Sequence, residues 1–412
     1  MRHAREEGLK VVRVLMLSPT LPCAARSARA FSLLKALSAS HKVVLMCMAS
    51  KGENGGERSE LDGLCERIEM IPRSWPVSLA RCMRGFSTGS PLNVLWFDSD
   101  AFRRRVREIV ENEEIDAAVA VSSKMAPYLS DVQGIPAVLD IADCTSMLLD
   151  RARESGDMRG RFLAAVEGRR QELFEAGVWR AAHVCTVSAE SQRRRLQRLS
   201  GYNFPSLRVL PSAVDLEGLT PSAHEMALKG RVLLVGDSRQ IASRDAVRFF
   251  CGDIWPRVAE RCPRAHLVVT DRAGAGRPAR EARGHRITVL APAPDIRSEI
   301  LKAEVVVYPM RVGPGSRDEV LKSLAMRRPV VSTSLGADGL DVEHGKHVLI
   351  ADRAEKFADA VRTLLEDSEL ADRLADEGSS LVRLRHSIEK MEMRLDGILS
   401  SLCPCLQEIC RL

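Results

Sequence analysis

Short runs of Val, Leu, Ile and Ala, apolar at nearly every position, alternate along this chain with longer stretches whose apolar residues recur at helical spacing. The runs are Val11–Ser18, Val43–Met48, Ile68–Ile71, Ala117–Val121, Val138–Asp140 and His183–Val187. After the first, Phe31, Leu33, Leu34 and Leu37 mark the apolar face of a helix. Strands without polar alternation are buried on both faces, and helical crossovers between such strands make a parallel sheet. Around residues 216–230 the pattern lapses into Gly, Thr, Pro and Ser, which reads as a linker. A second series then begins: Arg231–Gly236, His266–Thr270, Ile287–Leu290, Val305–Tyr308, Pro329–Ser332 and Val348–Ile350. Helices are expected at Ala246–Glu260, Arg317–Met326 and Glu355–Glu366. The pattern therefore predicts an α/β chain of two doubly wound parallel-sheet, Rossmann-like domains. Ligands would bind at the carboxyl ends of the strands, in a cleft between the two domains.

Length and composition agree with that reading and remove several others. A chain of 412 residues suits two domains, and 45% hydrophobic with 28% charged residues is ordinary globular composition. A net charge of +6 on that length gives no electrostatic case for nucleic acid as a partner. The 4 Trp, 3 Tyr and 10 Phe are too few for a base-stacking sheet or an aromatic sugar platform. No apolar run is long enough to span a bilayer, and Val11–Leu17 is too short for a signal-peptide core, so a cytoplasmic protein is expected. Eleven cysteines, many in apolar segments such as Cys47, Cys185 and Cys251, fit reduced buried thiols. Cys403, Cys405 and Cys410 lack the paired spacing of a zinc site and read more simply as a frayed tail.

The most informative segment runs from Tyr308 to Met326. A strand ends at Tyr308, a loop with Gly313 and Gly315 follows, and Ser316 stands where a helix would be capped. Backbone N–H groups at such a helix start favour an anion, the glycines allow close approach, and Arg317 can grip a phosphate through two donors. The same residues admit a plainer reading. Ser316-Arg-Asp-Glu319 is a capping box, and the carboxylates of Asp318 and Glu319 would repel a diphosphate.

From this loop outward the sequence resembles the family 4-type (group 1) glycosyltransferases of GT-B fold, most closely the sugar transferases associated with exosortase/PEP-CTERM systems. The resemblance spans about residues 11–398. It rests on Leu17-Ser-Pro-Thr-Leu-Pro22, Arg29-Ala-Phe-Ser-Leu-Leu34, Ser122-Ser-Lys-Met-Ala-Pro-Tyr128, Leu139-Asp-Ile-Ala-Asp143, Thr186-Val-Ser-Ala-Glu190 and Leu210-Pro-Ser-Ala-Val-Asp215. Further on it uses Pro294-Asp-Ile-Arg297, Val320-Leu-Lys-Ser-Leu-Ala-Met326, Pro329-Val-Val-Ser-Thr333, Gly336-Ala-Asp-Gly-Leu-Asp341 and His386-Ser-Ile-Glu389. The resemblance implies an acceptor domain over 1–220 and a nucleotide-sugar donor domain over 228–385. A closing helix and tail, 386–412, would return to the first domain. It implies transfer of a sugar from a nucleotide diphosphate to a glycan or lipid-linked acceptor with retention, without metal or other cofactor, in surface polysaccharide assembly.

On that resemblance Gly236, Arg311 and Arg317 match the donor site; the loop itself adds Gly313, Gly315 and Ser316, and a rewired site adds Lys322. Arg317 is expected to be catalytic, and so is Asp143, whose place after a strand lets a carboxylate orient or deprotonate an acceptor hydroxyl. Asp140, Ser188 and Glu190 stand on the acceptor side. Two of these have simpler alternatives: Asp143 in an Asx-turn or cap before Ser146, and Ser188 as a helix N-cap. The sequence also departs from the family. A Lys is usual where Glu319 stands and a Glu where Lys322 stands, so the two charges are exchanged, though at i and i+3 they still attract each other. Glycines usual at Thr270, at Ala291 and within Pro22–Ser27 are missing. A second expectation follows from these departures, a catalytically degenerate GT-B protein acting as a partner or scaffold. An epimerase of the same fold would need a cleft constellation of acids and histidine, which the motifs do not supply. Arg103–Arg107 and Arg193–Arg198 offer basic helical turns for peripheral contact with anionic membrane, or for solvated faces matched by nearby acids.

Overall fold

A computed structural model describes residues 11–24, 27–49, 58–85, 88–154, 158–202, 204, 206–219, 227–237, 240–271, 286–290, 296–313 and 317–402. The chain divides into two compact units, Met1–Ser212 with Ile388–Leu412, and Ala213–Ser387.

The first unit is built on β1 (Arg13–Ser18), β2 (Lys42–Ala49), β3 (Arg67–Pro72), β4 (Ala117–Val121), β5 (Ala137–Ala142), β6 (Val184–Val187) and β7 (Leu207–Val209). They lie in the order β3-β2-β1-β4-β5-β6-β7, every neighbour parallel. β7 was not expected: three residues with one exposed position are too short for a periodicity to show. Between the strands run α1 (Ala28–Ser40), α2 (Trp75–Gly85), α3 (Leu92–Leu95), α4 (Asp100–Asn112), α5 (Thr145–Glu154), α6 (Met158–Gly177) and α7 (Glu190–Ser200). α4 shows how the sequence sets a helix: the Ser99 hydroxyl accepts from the Phe102 N–H. Phe102, Val106 and Ile109 then fall at i, i+4 and i+7 and bury against Leu15, Leu17, Val44 and Ala118 of the sheet. On α1, Leu33, Leu34 and Leu37 are buried, whereas Phe31 is only half-buried.

The second unit contains β8 (Arg231–Gly236), β9 (His266–Asp271), β10 (Ile287–Leu290), β11 (Val305–Tyr308), β12 (Val330–Ser332) and β13 (Leu349–Ile350), ordered β10-β9-β8-β11-β12-β13 and parallel. Its helices are α8 (Ile241–Phe249), α9 (Trp255–Arg261), α10 (Ile296–Lys302), α11 (Arg317–Ala325), α12 (Ala354–Glu366) and α13 (Ser368–Arg385). The helix expected over Ala246–Glu260 is in fact α8 and α9 joined by a π turn, Phe250–Ile254. Pro256 supplies the reason: it has no N–H to return to the preceding turn, so the regular ladder breaks there. The wider turn buries Phe250, Cys251 and Ile254, and Phe250 meets Phe357 of α12 edge-on at 5.9 Å.

α13 ends at His386, whose Nε2 lies 2.9 Å from the Leu340 carbonyl and whose own carbonyl accepts from Val214 N–H. α14 (Ile388–Leu402) then packs on α1 in the first unit, with Glu392 accepting from Ser40 and Asp396 lying 3.0 Å from His41 Nε2. No described helix is long and apolar enough to cross a membrane.

Candidate functional site

In a doubly wound sheet the ligand crevice opens at the carboxyl ends of the strands, where the strand order reverses. That point lies between β8 and β11 in the second unit and between β1 and β4 in the first. In the second unit, Gly236 ends β8 and Arg311 and Gly313 follow β11; in the first, Asp140 and Asp143 stand at β5 and Ser188 and Glu190 follow β6.

In the second unit, β8 ends at Gly236. A Cβ there would meet the Thr270 carbonyl oxygen at 2.6 Å, so the residue must be glycine for β8 and β9 to close together. Thr270 is wholly buried, its hydroxyl 3.4 Å from Gly236 N. After β11 the chain turns through Arg311 to Gly313, whose φ of 89° is left-handed and whose Cβ would sit 2.7 Å from Ala242 Cβ. Arg311 already has a fork partner: Nε and Nη2 donate to Asp245 of α8 at 3.1 and 2.7 Å, and the guanidinium covers the Phe249 ring at 4.1 Å. α11 begins at Arg317, whose side chain, with Gly315 and Ser316, lies outside the described residues. Lys322 closes on Asp318 at 2.5 Å, i to i+4, rather than on Glu319 as the sequence suggested. Both acids share the first turn, but Asp318 lies directly one turn before Lys322 on the same ridge.

Several residues not assigned to the site from the sequence hold this loop in place. Tyr308 is fully buried and donates to the Glu319 carbonyl at 2.8 Å, tying the end of β11 to α11. Burial raises its phenol well above the usual range, so it stays a neutral donor. Thr333 Oγ1 donates to the Met310 carbonyl at 2.5 Å, and Gly336 packs so tightly that a Cβ would approach the Tyr308 carbonyl to 2.9 Å. Asp237 and Asp271 end β8 and β9 as buried carboxylates. Tyr308, Thr333 and Gly336 stood in runs and motifs quoted from the sequence without their partners being legible; Asp237 and Asp271 were signalled by their place at the end of a strand alone.

In the first unit, Asp140 is almost wholly buried and fully engaged. Arg29 donates to it twice, Nε to Oδ2 at 3.0 Å and Nη2 to Oδ1 at 2.6 Å, and Thr186 donates to Oδ1 at 2.7 Å. Arg29 also reaches the Pro211 carbonyl at 3.0 Å, so one ion pair joins α1, β5, β6 and the chain after β7. Asp143 accepts from Gln192 Nε2 at 3.1 Å. Ser188 is not the N-cap of α7; Ala189 holds that place. The Ser188 hydroxyl instead donates to the Ala142 carbonyl at 2.9 Å, which fixes the ends of β5 and β6 side by side. Glu190 begins α7 and pairs with Arg193 and Arg194. The start of α5 is met from another helix: the buried Glu175 accepts from Ser146 N and Oγ. Ser122 (φ 76°, ψ 140°) and Ala142 (φ 62°) leave β4 and β5 in conformations that L-residues rarely adopt.

The two basic runs are matched by acids. Arg103 pairs with Asp98 and Asp131, Arg105 with Glu69 and Glu108, and Arg195 with Asp150 and Glu172. Among the described residues no three His, Cys, Asp or Glu side chains converge as a metal site would require; Cys403, Cys405 and Cys410 lie outside them.

Residues 229–367, which include both loops of the second unit, match the family model described as Glycosyl transferases group 1. The chain has the GT-B fold. Sucrose-phosphate synthase (tll1590) from Thermosynechococcus elongatus superposes with a TM-score of 0.71 at 15% identity, covering 95% of this chain and 100% of that one. Anabaena Alr3699/HepE in complex with UDP and glucose gives 0.66 at 14% identity, with 95% and 100% covered. A glycosyltransferase from Rickettsia africae ESF-5 gives 0.65 at 10% identity, with 95% and 99% covered. No curated protein matches in sequence. Arg311, Gly313 and Lys322 fall within the matched residues 229–367, and Asp140, Asp143, Ser188 and Glu190 in the other unit.

Proposed function

We propose that this protein transfers a sugar, with retention, from a nucleoside diphosphate donor to a glycan or lipid-linked acceptor in surface polysaccharide assembly. The observation that carries the reading is the coincidence of the group 1 domain with the β8 and β11 loops. At that switch point, Gly236 lets β8 close on β9, and Gly313, at positive φ, lets the loop after β11 pack against α8. HepE, of the same fold, was crystallised with UDP-glucose. In this reading the start of α11 faces the diphosphate, and Arg317 offsets the leaving charge without a metal. Asp143, at the end of β5, orients the acceptor hydroxyl. The exosortase-associated subtype belongs to the same proposal, and so does action at the inner face of the membrane. α2 supports the latter: it exposes Trp75, Leu79 and Met83 at i, i+4 and i+8, with Arg84 at its end.

One observation favours a second reading. Arg311 already holds Asp245, Lys322 already holds Asp318, and Glu319 adds a carboxylate to the first turn of α11. A degenerate donor site in a scaffold protein has those features. Titration calorimetry with UDP, GDP, ADP and their sugar conjugates separates the two. Micromolar binding of one nucleotide that Arg317→Ala abolishes establishes a working donor site. The anomeric configuration of the product, read by NMR with and without a chelator, tests retention and metal independence. If nothing binds until Glu319→Lys and Lys322→Glu are introduced together, the exchanged pair has disabled the site and the scaffold reading stands.

A further inference from the structure

We infer that a pocket beside α7, on the first unit, binds an anionic amphiphile: a single phosphate or carboxylate carried on an aliphatic chain. None of the residues assigned to the donor or the acceptor lines this pocket, and the inference stands whether or not the transferase reading does.

The cavity itself is the first observation. Its volume is about 820 Å³, within the span of about 300–1,000 Å³ usual for small-molecule sites. Ser191, Arg194 and Arg198 line it at i, i+3 and i+7 of α7, so they share one face of that helix. Met147 of α5 and Tyr202, just beyond the end of α7, line it too.

The apolar part of the lining is anchored. Tyr202 is 59% exposed, yet its ring stacks on Trp179 with centroids 6.0 Å apart and planes 18° from parallel. Trp179 stacks in turn on Phe204 at 4.9 Å and 16°, and Phe204 belongs to the buried core. Three rings rooted in the core thus hold the outermost one in place. Met147 packs against the same core, and its unbranched thioether adapts to an irregular occupant. An aliphatic chain laid against Tyr202 and Met147 removes apolar surface from water.

Charge is the other half of the argument. Among the described residues no acid lines the pocket. Arg193 and Arg194 both turn to one carboxylate, Glu190, at 2.9 and 3.4 Å, while Arg195 takes Asp150 and Glu172. Arg198 is the one arginine of the run Arg193–Arg198 that makes no hydrogen bond or ion pair among the described residues. Arg194 and Arg198 stand one turn apart on the same ridge and line the same cavity, so one anion can lie between them. A guanidinium meets phosphate or carboxylate through two donors. A cation in the last turn also offsets the carbonyls that end α7, but that role needs no cavity beside it. An inorganic anion here would leave Tyr202 and Met147 wet, and a neutral lipid would leave Arg198 unpaired. Only charge and chain in one molecule satisfy both parts of the lining.

The test titrates the full chain with decyl phosphate below its micelle concentration. Calorimetry and tryptophan emission read the binding, since an occupant against Tyr202 alters the surroundings of Trp179. Inorganic phosphate supplies the charge without the chain, and octyl glucoside the chain without the charge. Decyl phosphate should bind at least about tenfold more tightly than either. Arg198→Gln and Tyr202→Ser should each weaken it by about tenfold or more, and Arg198→Lys by less. Should Tyr202→Ser lower the melt, Met147→Ser takes its place. If these variants, melting as wild type does, bind decyl phosphate as tightly as wild type, the amphiphile sits elsewhere and the proposal is overturned. The same holds if either control binds as well as decyl phosphate, or if wild type shows no binding up to about 1 mM. Nucleotide binding by the second unit is measured separately and decides the transferase reading alone.

Discussion

Removing the Asp140 carboxylate should unfold the first unit more readily, because it strands Arg29. The carboxylate receives two charge-assisted hydrogen bonds from the guanidinium and one from Thr186, at about 1% exposure. A hydrogen bond to a charged group contributes about 1.5–3 kcal/mol, and breaking a buried pair by deleting one partner costs about 3–5 kcal/mol. Arg29 would keep the Pro211 carbonyl and some access to solvent, its side chain being 16% exposed, so Asp140→Ala belongs near the lower end, about 3 kcal/mol. Arg29→Met with Asp140→Leu removes both charges and should recover about 2 kcal/mol of that loss. Urea midpoints followed by tryptophan emission suit the test, because Trp75, Trp96 and Trp179 all lie in the first unit. A two-unit chain need not unfold in one step, so the cycle compares midpoints of this transition. Were Asp140→Asn as stable as wild type yet inactive, the carboxylate would be an acceptor base and the structural argument would be wrong.

Three further outcomes are expected. Gly236→Ala places a Cβ 2.6 Å from the Thr270 carbonyl and should destabilise the second unit by about 2 kcal/mol or more, whereas Gly397→Ala in α14, with nothing within 4 Å, should stabilise by about 0.5–1 kcal/mol; thermal melts of the pair decide. Burial raises the Glu175 carboxyl above the usual carboxylate range, against the lowering effect of bonds from Ser146, Gln171 and Thr145. An acid whose folded-state pKa is raised binds its proton more tightly when folded. Its contribution therefore falls as pH rises from the ordinary carboxylate range through the raised value, and Glu175→Gln should flatten stability over that interval in a pH series of melts. Finally, Trp75→Ser with Leu79→Ser and Met83→Ser should abolish co-sedimentation with anionic vesicles without altering the melt, since all three side chains are exposed; unchanged sedimentation would remove α2 as a membrane contact.

Most of the fold is written in local apolar runs. β4, β8 and β11 stand where the runs of Val, Leu and Ile place them, because a strand buried on both faces cannot tolerate polar positions. β7 escaped because it is three residues long, and the π turn because a single Pro256 redirects an otherwise helical pattern. Site residues were legible only as positions after strands. Their partners were not, since Arg29 and Asp140 are 111 residues apart and Arg311 and Asp245 are 66 apart. Nor did the sequence distinguish Asp318 from Glu319 as the partner of Lys322, or show that Met147 and Arg198 line one cavity. Secondary structure follows from side-chain period, which neighbours in sequence carry. Whether a charge is paired, buried or open to a ligand depends on what distant strands and helices bring beside it, and that is decided only when the sheet closes.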